Sequence, residues 1–94
     1  MTMPLESVRL LIIGAGKMGA QHAEAFSNLA NVELVGIVSR GGKSAKELSE
    51  RFKIQFWGTE WTEVAKKANA NAILVTVSHL ISAKICREVI EAGY

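Results

Sequence analysis

The six residues Gly14-Ala15-Gly16-Lys17-Met18-Gly19 constrain this chain more than any other stretch. They set three glycines at the spacing G-x-G-x-x-G directly after an apolar run and directly before a helical one, the context in which such a turn cradles a phosphate. Gly14 supplies the tight turn, Gly16 lets the backbone approach a pyrophosphate with no side chain in the way, and Gly19 lets helix and strand pack closely. The pyrophosphate then faces free N–H groups at a helix N-terminus, where the macrodipole favours negative charge. The plain alternative is a loop that only needs positive φ angles.

The flanking pattern supplies the required context. Val8 to Ile13 is continuously apolar and partly β-branched, as in a strand covered on both faces. From Met18 the spacing changes: Met18, His22, Phe26 and Leu29 recur every three to four residues, predicting a helix that ends near Asn31. Val32 to Val38 reads as strand two, with Gly36 leaving room for a neighbouring helix. After a loop from Ser39 to Lys43, the pair Ser44 and Glu47 forms a capping-box pattern that opens a helix ending near Phe52. Ile54 to Trp57 predicts an edge strand, Trp61 to Ala68 a short helix, Ala72 to Val77 a fourth strand, and Ile81 to Ala92 a helix capped by Gly93.

Strands alternating with helices imply parallel pairing through right-handed crossovers. The predicted architecture is α/β, a Rossmann-type parallel sheet with helices on both faces and strand order 3-2-1-4. It is expected to be truncated before the remaining strands, with residues 1–94 forming one incomplete nucleotide-binding domain.

Bulk properties exclude several classes. At 94 residues the chain is one domain at most. Eleven basic residues against nine acidic ones, with no run of like charge, argue against a nucleic-acid surface. The longest wholly apolar stretch, Leu10 to Ile13, is far short of the roughly 20 residues of a membrane span. Pro4, Glu6 and Arg9 break the pattern of a secretory signal, which predicts a cytoplasmic protein. The lone Cys86 cannot form an internal disulfide or a thiolate metal cluster and reads as a buried small side chain.

Several side chains are candidates for the ligand. Lys17 lies inside the turn, where its charge either reaches a phosphate or is simply solvated. His22 follows on the same helix; general base, metal ligand and buried hydrogen-bonding residue are its possible roles, and the lack of a partner at metal spacing favours a structural role or one supporting a ligand-contacting residue. At the end of strand two, where NAD-binding units place an acid about 20 residues beyond the glycines, stands Ser39-Arg40. A hydroxyl and a guanidinium both donate to a 2′-phosphate that a carboxylate would repel, with Lys43, Ser44 and the Gly41-Gly42 backbone as further donors. The expected cofactor is therefore NADP in preference to NAD, unless this is an ordinary polar loop. Thr76-Val77-Ser78-His79 ends strand four, where ligands of open α/β sheets lie, and these residues are candidates for the nicotinamide side; an N-cap role for Ser78, or solvated polar side chains, is the bland alternative. Trp57 and Trp61 read as core or edge cover rather than a stacking platform.

The glycine turn with His22 after it, followed by Val32-Glu33-Leu34-Val35-Gly36-Ile37-Val38 and closed by Val89-Ile90-Glu91-Ala92-Gly93, resembles the Gfo/Idh/MocA family of oxidoreductases over the whole chain. The resemblance implies two domains, this one and an α/β domain that binds substrate and builds dimers or tetramers. It also implies hydride transfer between NAD(P) and a sugar, inositol or related alcohol. The family's Glu-Lys-Pro motif and its catalytic Asp and His would lie beyond Tyr94, and its usual Thr-Pro-Asn is here Thr76-Val77-Ser78. The chain is thus expected to be the amino-terminal part of a longer enzyme, meeting a small-molecule substrate only through the other domain. The alternative is a free-standing NAD(P)-binding regulatory module, whose open strand-four edge would need cover, for example in a homo-oligomer.

Overall fold

The computed structural model describes residues 8–77 and 79–94, without the side chains of residues 79–81. Four strands and four helices alternate: β1 (Val8–Ile13), α1 (Lys17–Ser27), β2 (Val32–Val38), α2 (Lys43–Phe52), β3 (Phe56–Gly58), α3 (Trp61–Ala68), β4 (Ala72–Val75) and α4 (His79–Glu91). All pairings are parallel and the sheet order is β3-β2-β1-β4, as the alternation predicts.

The apolar run of β1 is buried on both faces because its side chains alternate between two cores. Leu11 and Ile13 join Val35, Val38, Trp61, Val64 and Ala65 on the side of α3 and α4. Leu10 and Ile12 join Ala23, Ile37, Ala45 and Leu48 on the side of α1 and α2. Leu11, Ile12 and Ile37 are the largest fully buried side chains, so the sheet centre is the rigid platform of the domain.

Strand β2 carries an irregularity that explains its glycine. Leu10 pairs with Leu34 but Leu11 pairs with Gly36, leaving Val35 as an extra residue, a β-bulge. Val35 and Gly36 consequently both address the α3 side, and a Cβ on Gly36 would lie 2.7 Å from Val64 Cγ1 and 2.8 Å from Leu11 Cδ1. The missing side chain is what lets α3 seat against the sheet.

Element boundaries differ from the sequence pattern where local side chains intervene. Helix α1 stops at Ser27 instead of near Asn31, since Ser27 Oγ and Asn28 Nδ2 both donate to the Glu24 carbonyl and draw the backbone out of register. Its buried face is Gly19 and Ala23, not the stripe through Met18 and Leu29, which are 57% and 49% exposed. Ile54 is not in a strand. Lys53 takes the left-handed conformation, the Ile54 N–H returns to the Ser49 carbonyl, and Ile54 plugs the core at the end of α2. The capping box at Ser44 does not form either: α2 begins one residue earlier with Gly42 as its N-cap and no side-chain cap from within the helix. Cys86 is only partly buried, with its sulfur 3.8 Å from Ser82 Oγ. Trp61 is buried, whereas Trp57 on the edge strand is 45% exposed. Among the described residues no helix is long and apolar enough to cross a membrane.

Gly36→Val forces two methyl groups into the space held by Val64 and Leu11. It is expected to destabilise the fold by roughly 1–3 kcal/mol, read as a lower urea midpoint with an unchanged slope. An unshifted midpoint would show that α3 does not seat there.

Candidate functional site

The carboxyl ends of β1, β2 and β4 come together at one edge of the sheet, and a cleft of about 870 Å³ opens there. That volume lies within the range of ligand and cofactor sites. Its floor is the glycine turn, Ile13 to Gly16; one wall is the end of β2 with Val38, Ser39, Arg40 and Ser44; Thr76 and Val77 line it just past β4, which ends at Val75 and not at Val77 as the apolar run predicts. The opposite wall comes from the start of α3 (Thr59, Glu60, Trp61) and from Lys84, Ile85 and Glu88 of α4.

The turn is built by three contacts. The Gly14 N–H donates to the Val38 carbonyl at 2.7 Å, tying it to β2. Gly14 itself sits at φ +111°, which an L side chain rarely adopts, and a Cβ there would lie 2.5 Å from Thr76 Oγ1. A Cβ on Gly19 would run into the Gly14 carbonyl oxygen, so the first turn of α1 rests directly on the backbone below it. Gly16 differs in kind: no protein atom lies within 4 Å of where its Cβ would be. It caps α1 in an extended conformation, and the first helical bond is the Ala20 N–H to the Gly16 carbonyl. The amides of the first turn thus have no intrahelical acceptors and lie at the positive end of the helix dipole.

At the end of β2 the Ser39 hydroxyl accepts the Ala45 N–H at 3.1 Å and so caps α2 from outside the helix. Having accepted, it still carries a proton to donate. Arg40 is exposed beside it. Across the cleft Trp61 Nε1 donates to Glu88 Oε1 at 3.3 Å, joining α3 to α4.

Of the residues singled out in the sequence, the cleft brings together Gly14, Ala15, Gly16, Ser39, Arg40, Thr76 and Val77. Lys17 and Met18 are exposed and off its lining, Gly19 is buried beneath it, and Lys43 is exposed outside it. Ser78 and the side chain of His79 lie outside the described residues. His22 is half-buried, its ring tilted against Phe26 at 6.3 Å between centroids, and no group of three potential metal ligands occurs among the described residues. Sequence reasoning missed Thr59, Glu60, Lys84, Ile85 and Glu88 as lining residues. The topology held a signal for the first two, because a loop leaving β3 must emerge at the same edge as those leaving β1 and β2.

Residues 8–94 match the model of the Gfo/Idh/MocA family, described as an oxidoreductase family with an NAD-binding Rossmann fold. The chain belongs to this family. A curated relative, 4-carboxy-2-hydroxymuconate-6-semialdehyde dehydrogenase from Sphingobium sp. (strain NBRC 103272 / SYK-6), is 28% identical over 68 residues, covering 72% of this chain and 22% of that protein. Two solved structures share the fold. GenD2 from gentamicin A biosynthesis, in complex with NAD, superposes with a TM-score of 0.70 at 24% identity, over 81% of this chain and 22% of that one. Myo-inositol dehydrogenase from Lactobacillus casei, in complex with NAD(H) and myo-inositol, gives 0.66 at 22% identity, over 74% and 21%. The match thus spans about a fifth of each relative's length.

The contrast between two glycines is directly testable. Gly19→Ala is expected to cost about 3 kcal/mol as α1 is pushed off the turn, while Gly16→Ala stays within about 0.5 kcal/mol. Urea denaturation of both variants measures the difference, and equal costs would contradict the contact between Gly19 and the Gly14 carbonyl.

Proposed function

We propose that this chain is the nucleotide-binding domain of a longer NAD(P)-dependent oxidoreductase, and that it prefers NADP. One observation carries the reading: the space above Gly16, the N-cap of α1, is open, and Gly16, Ser39 and Arg40 line the same cleft. A Cβ-sized gap at that glycine is what a pyrophosphate lying against the backbone requires.

The residues of this chain bind and orient. The turn and the N-terminus of α1 would hold the pyrophosphate, while the Ser39 hydroxyl and the Arg40 guanidinium would donate to a phosphate on the adenosine ribose. Lys17, at the mouth of the turn, would add long-range attraction rather than a fixed contact. Thr76 and Val77, just past β4, border the path toward the nicotinamide, with Ser78 and His79 next in the chain. The cofactor, when bound, supplies the hydride acceptor or donor.

The substrate and the acid–base group matched to it would come from a second domain, which also offers the surface for a homo-oligomer. The relatives' names span a cyclic polyol and a semialdehyde. An aldehyde hydrate carries the same CH–OH unit as an alcohol, so a sugar, inositol or related alcohol-type substrate fits one hydride step. The cytoplasm, with its pool of pyridine nucleotides, is the compartment this reading implies.

Titration calorimetry tests the cofactor assignment. NADP is expected to bind the wild-type protein more tightly than NAD. Arg40→Ala should weaken NADP by about tenfold or more, since charge-assisted bonds are worth about 1.5–3 kcal/mol, and leave NAD nearly unchanged. Tighter wild-type binding of NAD would overturn the preference. Gly16→Val, which fills the gap above the turn, should abolish binding of both dinucleotides in a protein that melts normally; unchanged affinity would overturn the site itself.

A further inference from the structure

Thr76 was singled out for the nicotinamide side of the cleft, but its hydroxyl is turned into the fold. Thr76 Oγ1 lies 3.1 Å from the Ile13 carbonyl and 3.1 Å from the Gly14 carbonyl, so its single proton is shared between the last residue of β1 and the first residue of the turn. Its own N–H donates to the Ile13 carbonyl at 2.8 Å, which fixes the backbone from which the hydroxyl reaches.

The Gly14 carbonyl needs such a donor. Gly14 is buried, and its carbonyl oxygen is pressed from above by Gly19, where even a Cβ would collide. Water has little room to replace the hydroxyl, and a buried acceptor left without a donor is costly. The carbonyl of Gly14 and the N–H of Ala15 belong to one planar trans peptide and point in opposite directions. Holding the carbonyl inward therefore turns the Ala15 N–H away from Thr76, and it keeps the oxygen's lone pairs from swinging up toward an anion in the cleft. Gly14, at positive φ with no side chain, has the freedom to let that peptide rotate.

We propose that Thr76 is a positioning residue for pyrophosphate recognition, acting through the Gly14–Ala15 peptide and not by touching the ligand. The inference rests on the dinucleotide reading above and names what holds its cradle in shape. The hydroxyl is the active element: the methyl group of Thr76 plays no part in the two contacts. Removing the hydroxyl frees the peptide to sample orientations that present a carbonyl to the phosphates, and affinity falls for any ligand that contains the pyrophosphate. A ligand that carries only the phosphorylated adenosine ribose meets the Ser39–Arg40 wall instead and does not sense the change.

The test uses the intact protein and two fragments, ADP-ribose and adenosine 2′-monophosphate, with NADP as the complete ligand. Thr76→Val is expected to bind ADP-ribose and NADP roughly tenfold more weakly, the loss of one buried hydrogen bond, with adenosine 2′-monophosphate unchanged. Thr76→Ser should restore wild-type affinity for all three, and Thr76→Cys, a weak donor, should fall between. Melting curves of every variant show that folded protein is compared, and if Thr76→Val does not fold, the graded pair of Ser and Cys carries the comparison alone. Equal weakening of both fragments, or a Ser variant as poor as the Cys variant, overturns the positioning role while leaving dinucleotide binding in place. Wild-type protein that binds neither NADP nor NAD overturns the dinucleotide reading, and this proposal with it.

Discussion

The carbonyl oxygen of Gly14 is wedged between the Thr76 hydroxyl below and the backbone of Gly19 above, while the amide of the same residue is tied to Val38. Three strands and a helix thus meet on one residue. β1 delivers it, β2 accepts its N–H, the residue after β4 donates to its carbonyl, and α1 leans on it. Because packed backbone cannot be compressed, the path of α1 over the sheet is set at this point. That path in turn allows the buried face of α1 to consist of Gly19 and Ala23, residues too small to hold a helix in place by side-chain burial alone. The close approach compensates, since small residues bring more backbone and neighbouring atoms into contact distance.

The same constraint explains why the cleft is at this edge and not the other. A parallel sheet sends every strand's carboxyl end to one side, and the strand order β3-β2-β1-β4 opens a crevice where the connections leave in opposite directions, from β1 to α1 and from β4 to α4. The fold produces the crevice; the glycines decide what can enter it. Gly14 and Gly19 are consumed by packing, and only Gly16 leaves room. One motif therefore contains two structural glycines and one that faces open space, a division that spacing alone cannot reveal.

Much of this was legible in the chain itself. The β1 and β2 limits follow from apolar runs that end at glycine or at a polar loop, and the strand order follows from alternation and handedness. What failed did so for identifiable reasons. The stripe of Met18, His22, Phe26 and Leu29 holds only in part: Phe26 packs against the core while Met18 and Leu29 are exposed, because periodicity weights large residues and the fully buried positions of this helix are its small Gly19 and Ala23. Ile54 looked like the start of a strand because a helix terminus folding back to bury one apolar residue has the same composition. Lys43 and Lys17 are both exposed and off the lining of the cleft, a placement that proximity in sequence does not fix. The α4 side of the cleft was hidden altogether, since nothing in the pattern of Lys84, Ile85 and Glu88 distinguishes a cleft wall from an ordinary amphipathic face.

Ser39 shows how selectivity can be built at a structural position without loosening the fold. Its oxygen is needed by α2, which starts at a left-handed glycine and has no side-chain cap of its own. Helix amides accept a cap from serine, threonine, aspartate or asparagine about equally well, so the fold constrains this position only to a short side chain with an acceptor. Under the proposed NADP preference, the ligand would constrain it further. Serine meets the fold's need with a lone pair and keeps a proton for a phosphate, whereas an aspartate would cap as well but would offer the phosphate only repulsion and a ribose hydroxyl an acceptor. The identity of the residue is thus free to follow the cofactor while the helix it caps stays in place, and Arg40, exposed and uninvolved in packing, is free to follow with it.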